Sequence, residues 1–101
     1  MTLASGVVLP MAEIAELCRR YRVRELAVFG SASRGHLTPD SDIDLLVEFA
    51  PDAEVGFMAF NRLAGELSAL VGRRIDLVPK AGLKSAIRSQ VLAEAKLLYA
   101  A

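Results

Sequence analysis

Two aspartates stand at alternate positions in an apolar run, Asp42-Ile43-Asp44-Leu45-Leu46-Val47. The run is rich in aliphatic residues and predicts a strand over residues 42–49. Side chains two residues apart on a strand point to the same face, about 6.6 Å apart along the backbone. Carboxylates within an apolar strand are costly to bury unless they are paired or bind a cation. The pattern therefore favours a cation site on one face of this strand.

A third aspartate interrupts another apolar run, Arg74-Ile75-Asp76-Leu77-Val78. If this predicted strand pairs beside the first, Asp76 faces the same side as Asp42 and Asp44 and can also accept a proton from an attacking hydroxyl. Magnesium prefers carboxylate oxygens, and two ions about 3.5–4 Å apart can clamp the attacking and leaving oxygens of phosphoryl transfer. We therefore predict that Asp42, Asp44 and Asp76 are catalytic, metal-binding residues.

A glycine and a serine, Gly30 and Ser31, end the short apolar run 25–29. Glycine lets backbone N–H groups approach a phosphate closely, and the Ser31 hydroxyl can donate to a phosphate oxygen. A helical turn that begins there adds its N-terminal N–H groups. Arg34 is close enough in sequence to contact a triphosphate. The sequence thus predicts Gly30, Ser31 and Arg34 as nucleotide-binding residues.

The length, composition and net charge of the chain limit the folds and functions that it can have. The 101 residues, 53% of them hydrophobic, are enough for one domain over residues 1–101. A formal net charge of zero argues against a general nucleic-acid or anionic-membrane binder. Cys18 is the single cysteine, which excludes an internal disulfide and fits a reducing cytoplasm. Residues 1–10 lack the features of a signal peptide, and no apolar stretch approaches the ~20 residues of a membrane span.

The periodicity of apolar residues predicts helices over residues 10–21, 57–71 and 83–99. Short apolar runs predict strands over residues 25–29, 42–49 and 74–78. Gly72 suits the C-terminal cap of the second helix. The predicted order is α-β-β-α-β-α, and helices interleaved with strands indicate an α/β class in which helices pack on a sheet.

Gly30-Ser31, ten intervening residues, Asp42-Ile43-Asp44 and the distal Asp76 together resemble the nucleotidyltransferase superfamily of the polymerase-beta type. The fuller string, Gly-Ser-Ala-Ser-Arg-Gly through Pro-Asp-Ser-Asp-Ile-Asp-Leu-Leu-Val, is similar to its minimal prokaryotic branch. The resemblance covers essentially the whole chain. It implies a palm-like mixed sheet of α+β type, ATP as the donor, and two magnesium ions held by Asp42 and Asp44, with Asp76 completing the site.

Many minimal members of this branch resemble antitoxins encoded beside a HEPN-domain ribonuclease toxin. There they transfer AMP from ATP to a tyrosine of the toxin and silence it. Larger relatives carry a second domain that holds the acceptor, and a chain of 101 residues has no room for one. The resemblance therefore implies a protein adenylyltransferase that acts on a HEPN-type partner, in a homo- or hetero-oligomer.

Two other functions stay open at this point. The chain is alternatively a binding module that neutralises its partner by occlusion, or a transferase acting on a small molecule such as an aminoglycoside. Substitution of Asp42 and Asp44 by asparagine separates occlusion from catalysis.

Each feature also has a structural interpretation. Asp42 and Asp44 can lie on a solvated strand surface, and Asp76 can be the ion-pair partner of Arg73 or Arg74. The apolar side chains at the start of the second helix are assigned to the core, with a partner surface as the alternative. These side chains are Phe57, Met58 and Phe60.

Overall fold

The computed structural model describes residues 2–3, 6–30, 32, 35, 38 and 41–101. Within the described residues, three helices, four strands and one 3-10 turn have defined bounds. They are α1 (Met11–Arg20), β1 (Val23–Phe29), β2 (Ile43–Phe49), α2 (Phe57–Val71), β3 (Ile75–Pro79), the 3-10 turn (Lys80–Gly82), α3 (Ser85–Glu94) and β4 (Lys96–Ala100). None of the helices in these described ranges is long and apolar enough to cross a membrane.

The strands form one mixed sheet in the order β3-β2-β1-β4. β1 is antiparallel to both β2 and β4, whereas β2 and β3 run parallel. A parallel pair needs a crossover connection, and α2 supplies it between β2 and β3. The predicted mixed sheet with helices packed on it is confirmed.

The predicted last helix over residues 83–99 is wrong over its last five residues. α3 ends at Glu94, Ala95 is extended with φ −64° and ψ 135°, and the chain continues as β4 along β1. The apolar run Leu97-Leu98-Tyr99 fits helical spacing as well as a short strand, so periodicity alone cannot distinguish them. Among the elements that the described residues form, the order is α-β-β-α-β-α-β, one strand longer than predicted.

The other predicted elements lie within two residues of their observed bounds. β1 begins at Val23, two residues before the predicted start, and β3 includes Pro79 at the sheet edge. α2 ends where predicted, and Gly72 caps it in the left-handed region with φ +74°.

The main hydrophobic core lies between one face of the sheet and the helices α1 and α2. Its most buried side chains include Ile14, Leu26, Ile43, Leu45, Leu63 and Leu67. Cys18 belongs to this core, and burial raises the pKa of its thiol to about 11. The opposite face of the sheet is covered more thinly by α3, where Ala27, Leu46 and Val91 form a small second cluster. The sheet therefore has one deeply buried face and one accessible face.

The start of α2 departs from the prediction. Phe57 and Met58 are 83% and 75% exposed, so their assignment to the core is wrong. Phe60 packs partly against the core and meets Phe49 edge to face at 6.3 Å between ring centroids. The exposed pair leaves an apolar surface at this end of α2.

A polar contact joins α1 to α2. The Tyr21 hydroxyl donates to a Glu66 carboxylate oxygen at 2.5 Å, and Arg20 pairs with the same carboxylate at 3.0 Å. The hydrogen bond between the two side chains raises the pKa of Tyr21 and lowers the pKa of Glu66. A carboxyl whose pKa is lowered by folding contributes stability above its unfolded pKa, and this contribution is lost as the pH falls through the folded pKa.

We expect Tyr21→Phe to weaken the acid sensitivity of the fold. The variant removes the main cause of the lowered Glu66 pKa, so its melting temperature should fall less than that of the wild type between neutral pH and pH ~3. Thermal unfolding across this pH range measures the difference, with Tyr99→Phe as the matched control. Acid profiles that coincide for wild type and Tyr21→Phe would exclude this contribution.

Candidate functional site

Two of the three predicted carboxylates are neighbours in the sheet. The parallel register of β2 and β3 places Asp44 directly opposite Asp76. Adjacent strands lie about 4.8 Å apart, and residues in register point to the same face. That face is the accessible one, because the flanking residues Ile43 and Leu45 are buried in the main core. The structure thus brings together the aspartates of two strands that are separated by α2 in the chain.

Gly30 lies against the same carboxylate. Phe29 pairs with Asp44 in the antiparallel register, so the chain leaves β1 directly beside it. Gly30 has φ +70°, and a Cβ placed there would lie 2.3 Å from Asp44 Oδ2. Both the left-handed backbone and this close approach require glycine. The predicted position of Gly30 at the site is therefore consistent with the geometry.

The segment after Gly30 is described only in part. Ala32 is helical and fully buried. Ser31 and Arg34, the other two predicted nucleotide-binding residues, lie outside the described residues.

Asp42 lies at the start of β2 and pairs with an arginine. Its Oδ1 is 2.9 Å from Arg74 Nε, and the two side chains are 46% and 76% exposed. The backbone N–H of Ile43 donates to the Arg74 carbonyl at 2.9 Å, which holds the two strand ends together. The sequence interpretation considered Arg74 as a partner of Asp76 and missed Asp42. Alternation along β3 was the available signal, because it places Arg74 and Asp76 on one face.

The neighbouring arginine anchors the segment that leads into Asp42. Arg73 Nη2 donates to the carbonyl oxygens of Thr38 and Ser41 at 2.6 and 2.7 Å. The Thr38 and Ser41 hydroxyls lie 2.7 Å apart. The Arg73 carbonyl in turn accepts a hydrogen bond from Ser68 Oγ of α2 at 2.6 Å. These contacts connect the position of Asp42 to the end of α2, a role that the sequence analysis did not predict.

The donor set suits magnesium. Asp42, Asp44 and Asp76 offer carboxylate oxygens on two adjacent strands, the ligand type that Mg²⁺ prefers. Within the described part of the chain, no three acidic, histidine or cysteine side chains are gathered closely enough to hold a metal ion. Asp42 is instead paired with Arg74. The ligand chemistry of these residues therefore fits magnesium, and the sheet register places two of the three carboxylates side by side on neighbouring strands.

The accessible face continues beyond the carboxylates. A cavity of about 160 Å³ lies between the sheet and α3, lined by Ala27, Leu46, Leu92, Ala95 and Leu97, with Glu25, Glu48 and Lys80 among its polar residues. A larger cavity of about 420 Å³ is lined by residues of α1 and α2, including Glu13, Glu16 and Glu66. The larger cavity contains none of the predicted site residues. The carboxylate face, and not this larger cavity, is therefore the candidate site.

Comparisons with known proteins identify the family of the chain. A nucleotidyltransferase domain family matches residues 12–98. The protein adenylyltransferase MntA of Thermococcus cleftensis is 47% identical over 79 residues, covering 78% of this chain and 78% of that protein.

Similar solved structures include toxin–antitoxin complexes. A crystal structure of a toxin–antitoxin with AMP-PNP is similar with a TM-score of 0.74 and 27% identity, covering 92% of this chain and 75% of the other. A structure of the tri-AMPylated Shewanella oneidensis HEPN toxin in complex with MNT antitoxin is similar with a TM-score of 0.65 and 25% identity, covering 90% and 70%. Together with the family match over residues 12–98, these likenesses show that the chain belongs to the nucleotidyltransferase domain family, as a minimal nucleotidyltransferase similar to MNT antitoxins.

Proposed function

We propose that this protein is a magnesium-dependent adenylyltransferase that moves AMP from ATP to a tyrosine hydroxyl of a HEPN-type toxin in the cytoplasm and silences it. The observation that carries this proposal is the register of Asp44 with Asp76, directly beside Gly30. Similar proteins support the acceptor class, because one is named a protein adenylyltransferase and another is an antitoxin bound to an AMPylated HEPN toxin. The similar complex with AMP-PNP supports ATP as the donor.

Each site residue has a distinct role in this proposal. Asp42 and Asp44 hold two magnesium ions, and Asp76 completes the site. Gly30 lets the backbone approach the triphosphate, while Ser31 and Arg34 contact its phosphates. Bound magnesium neutralises phosphate charge and stabilises the pyrophosphate leaving group.

The transfer itself is an in-line displacement. The acceptor oxygen attacks the α-phosphorus, and the bond from that phosphorus to the oxygen bridging to the β-phosphate breaks. Pyrophosphate leaves with the electron pair of that bond. Asp76 accepts the proton of the attacking hydroxyl, since it lies opposite Asp44 and its residue is exposed.

The open carboxylate face supports a protein as the acceptor. α3 contributes one buried residue, Val91, and leaves Ile87 and Leu92 47% and 41% exposed. The adjoining cavity of about 160 Å³ is below the ~300–1,000 Å³ of typical small-molecule sites. A tyrosine presented by a partner does not need to be enclosed by this chain.

Occlusion without turnover is the second candidate function. The exposed Phe57 and Met58 favour it, because exposed apolar surface often marks a protein contact. A stable complex through this surface would neutralise a toxin without any use of ATP.

The stoichiometry of toxin inactivation distinguishes the two functions. A HEPN-domain protein from the same genome, sought first in the neighbouring gene, is assayed for ribonuclease activity after incubation with decreasing amounts of this protein. With ATP and Mg²⁺, we expect one molecule to inactivate many toxin molecules, because a catalyst turns over. Without ATP, substoichiometric amounts should have no effect.

The matched control is the Asp42→Asn, Asp44→Asn double variant. We expect it to lose substoichiometric inactivation while its far-UV circular dichroism and melting transition stay close to those of the wild type. Inactivation that needs one molecule per toxin, with or without ATP and equally in the double variant, would contradict catalysis and favour occlusion.

A further inference from the structure

Arg74 forms an ion pair with Asp42, one of the carboxylates that the proposed metal site requires. Its Nε lies 2.9 Å from Asp42 Oδ1, within charge-assisted hydrogen-bond distance. Alternation along β3 places Arg74 on the same face as Asp76, and the strand register places it beside Asp42. Arg74 therefore contacts one aspartate and lies on the same sheet face as the two others.

This arrangement balances charge on the exposed strand ends. Three carboxylates on neighbouring positions repel one another when no cation lies between them. A guanidinium on the same face offsets part of that repulsion and fixes the carboxylate that it contacts. Asp42 accordingly points to Arg74, and the three aspartates are not gathered into a metal cluster within the described residues.

A divalent cation can replace Arg74 as the partner of the Asp42 carboxylate, because the ion pair is exposed. Asp42 and Arg74 are 46% and 76% exposed, and ion pairs in such positions are weak and screened by salt. A divalent cation carries twice the charge and binds carboxylate oxygens directly. The fold does not depend on this ion pair alone, because the Ile43 N–H to Arg74 carbonyl hydrogen bond holds the strands in register through the backbone.

We propose that Arg74 is a positioning residue that holds Asp42 in the metal-free protein and releases it when a divalent cation binds. This inference rests on the metal site of the proposed function. The inference adds that the Arg74 guanidinium and the cation compete for the same carboxylate, that of Asp42. A metal site by itself does not imply such a competition. Metal affinity should therefore depend on a residue that is not a ligand.

Manganese binding to the nucleotide-free protein tests the competition without any activity assay. Free Mn²⁺ is measured by electron paramagnetic resonance during titration of wild type, Arg74→Gln and Arg74→Lys. We expect Arg74→Gln to bind Mn²⁺ about two- to fivefold more tightly, because a weak competing ion pair is removed. Arg74→Lys keeps the charge and loses the guanidinium contact, so it should lie between wild type and Arg74→Gln.

The matched control is Arg24→Gln. Arg24 pairs with Glu48 at 3.9 Å, so this variant removes an equal charge and another ion pair of the same sheet. Its Mn²⁺ affinity should equal that of the wild type. An Arg74→Gln affinity that is unchanged or weaker than wild type would overturn the inference.

Nuclear magnetic resonance gives a second readout that a purely structural role would not change. The Arg74 Nε–H signal, identified by its loss in Arg74→Lys, should shift during Mg²⁺ titration and saturate with the metal. A signal that stays fixed while Mg²⁺ binds would also overturn the inference.

The failure of the proposed metal site has a different signature. The Asp42→Asn, Asp44→Asn variant should lose Mn²⁺ binding. If wild type and this variant bind Mn²⁺ equally, or neither binds it, both the site and the exchange are excluded. If binding depends on the aspartates and ignores Arg74, only the exchange is excluded.

Discussion

Replacement of Asp44 by asparagine is expected to lower the rate of AMP transfer by about 10³-fold or more, since the loss of one preorganised charge-stabilising group alone costs about 10²–10³-fold. Asp44 is opposite Asp76 on one side and beside Gly30 on the other, so it lies at the centre of the candidate site. Asparagine has nearly the same shape and lacks the charge that a metal ligand needs. The measurement is the initial rate of AMP incorporation into the partner, alongside thermal unfolding.

Glu48→Gln is the matched control for this prediction. It makes the same chemical change on the same strand and face, four residues further along and near Arg24. Its transfer rate should stay within about twofold of wild type, because surface substitutions away from a site have small effects. A folded Asp44→Asn variant with a rate near wild type would show that this carboxylate is not part of the chemistry.

Gly30→Ala is expected to damage both stability and activity. An L-residue at φ +70° costs roughly 1–2 kcal/mol, and the new Cβ would lie 2.3 Å from Asp44 Oδ2, so that the carboxylate has to move. We expect the free energy of unfolding to fall by about 1–3 kcal/mol. Transfer should fall by about 10²-fold, because a displacement of about 1 Å at a reacting group has an effect of this size.

Gly72→Ala separates backbone strain from the contact with Asp44. Gly72 has a similar φ of +74°, and a Cβ there meets nothing within 4 Å. This variant should lose about 1–2 kcal/mol of stability and keep its transfer rate. Chemical denaturation and AMP-incorporation rates measure both quantities. Equal losses of activity in the two variants, or full activity in Gly30→Ala, would contradict a role for the contact.

The sequence predicted the parts of the site that depend on local pattern. Asp42, Asp44 and Asp76 each interrupt an apolar run, and strand alternation places Asp42 and Asp44 on one face of their strand. The pairing of strands 42–49 and 74–78 was a condition of that prediction, and the structure meets it with Asp44 opposite Asp76. The roles of these residues in metal binding and catalysis stay predictions.

The features that the sequence did not predict depend on contacts between distant residues. β4 was missed because Leu97-Leu98-Tyr99 becomes a strand only by pairing with β1, and nothing in the run itself excludes a helix. Phe57 and Met58 were assigned to the core because their spacing fits a helix. Spacing cannot show that α2 starts beyond the surface it packs on, which leaves both side chains exposed.

The two arginines illustrate the same limit at the site. Arg73 and Arg74 are adjacent in sequence, yet one binds the carbonyls of Thr38 and Ser41 and the other binds Asp42. Both contacts join residues more than 30 positions apart in the chain, and they depend on the parallel pairing of β2 and β3. Alternation along β3 gives the face on which Arg74 lies, but its partner depends on which strand pairs beside it.

Intact-mass spectrometry of the HEPN-type partner tests the central claim most directly. The partner is incubated with this protein, ATP and Mg²⁺, and in parallel with the Asp42→Asn, Asp44→Asn variant. The account predicts a mass increase of one or more AMP units on the partner, mapped to tyrosine by fragmentation and absent with the variant. An unmodified partner that still forms a stable complex with the wild-type protein would contradict the account and establish neutralisation by occlusion.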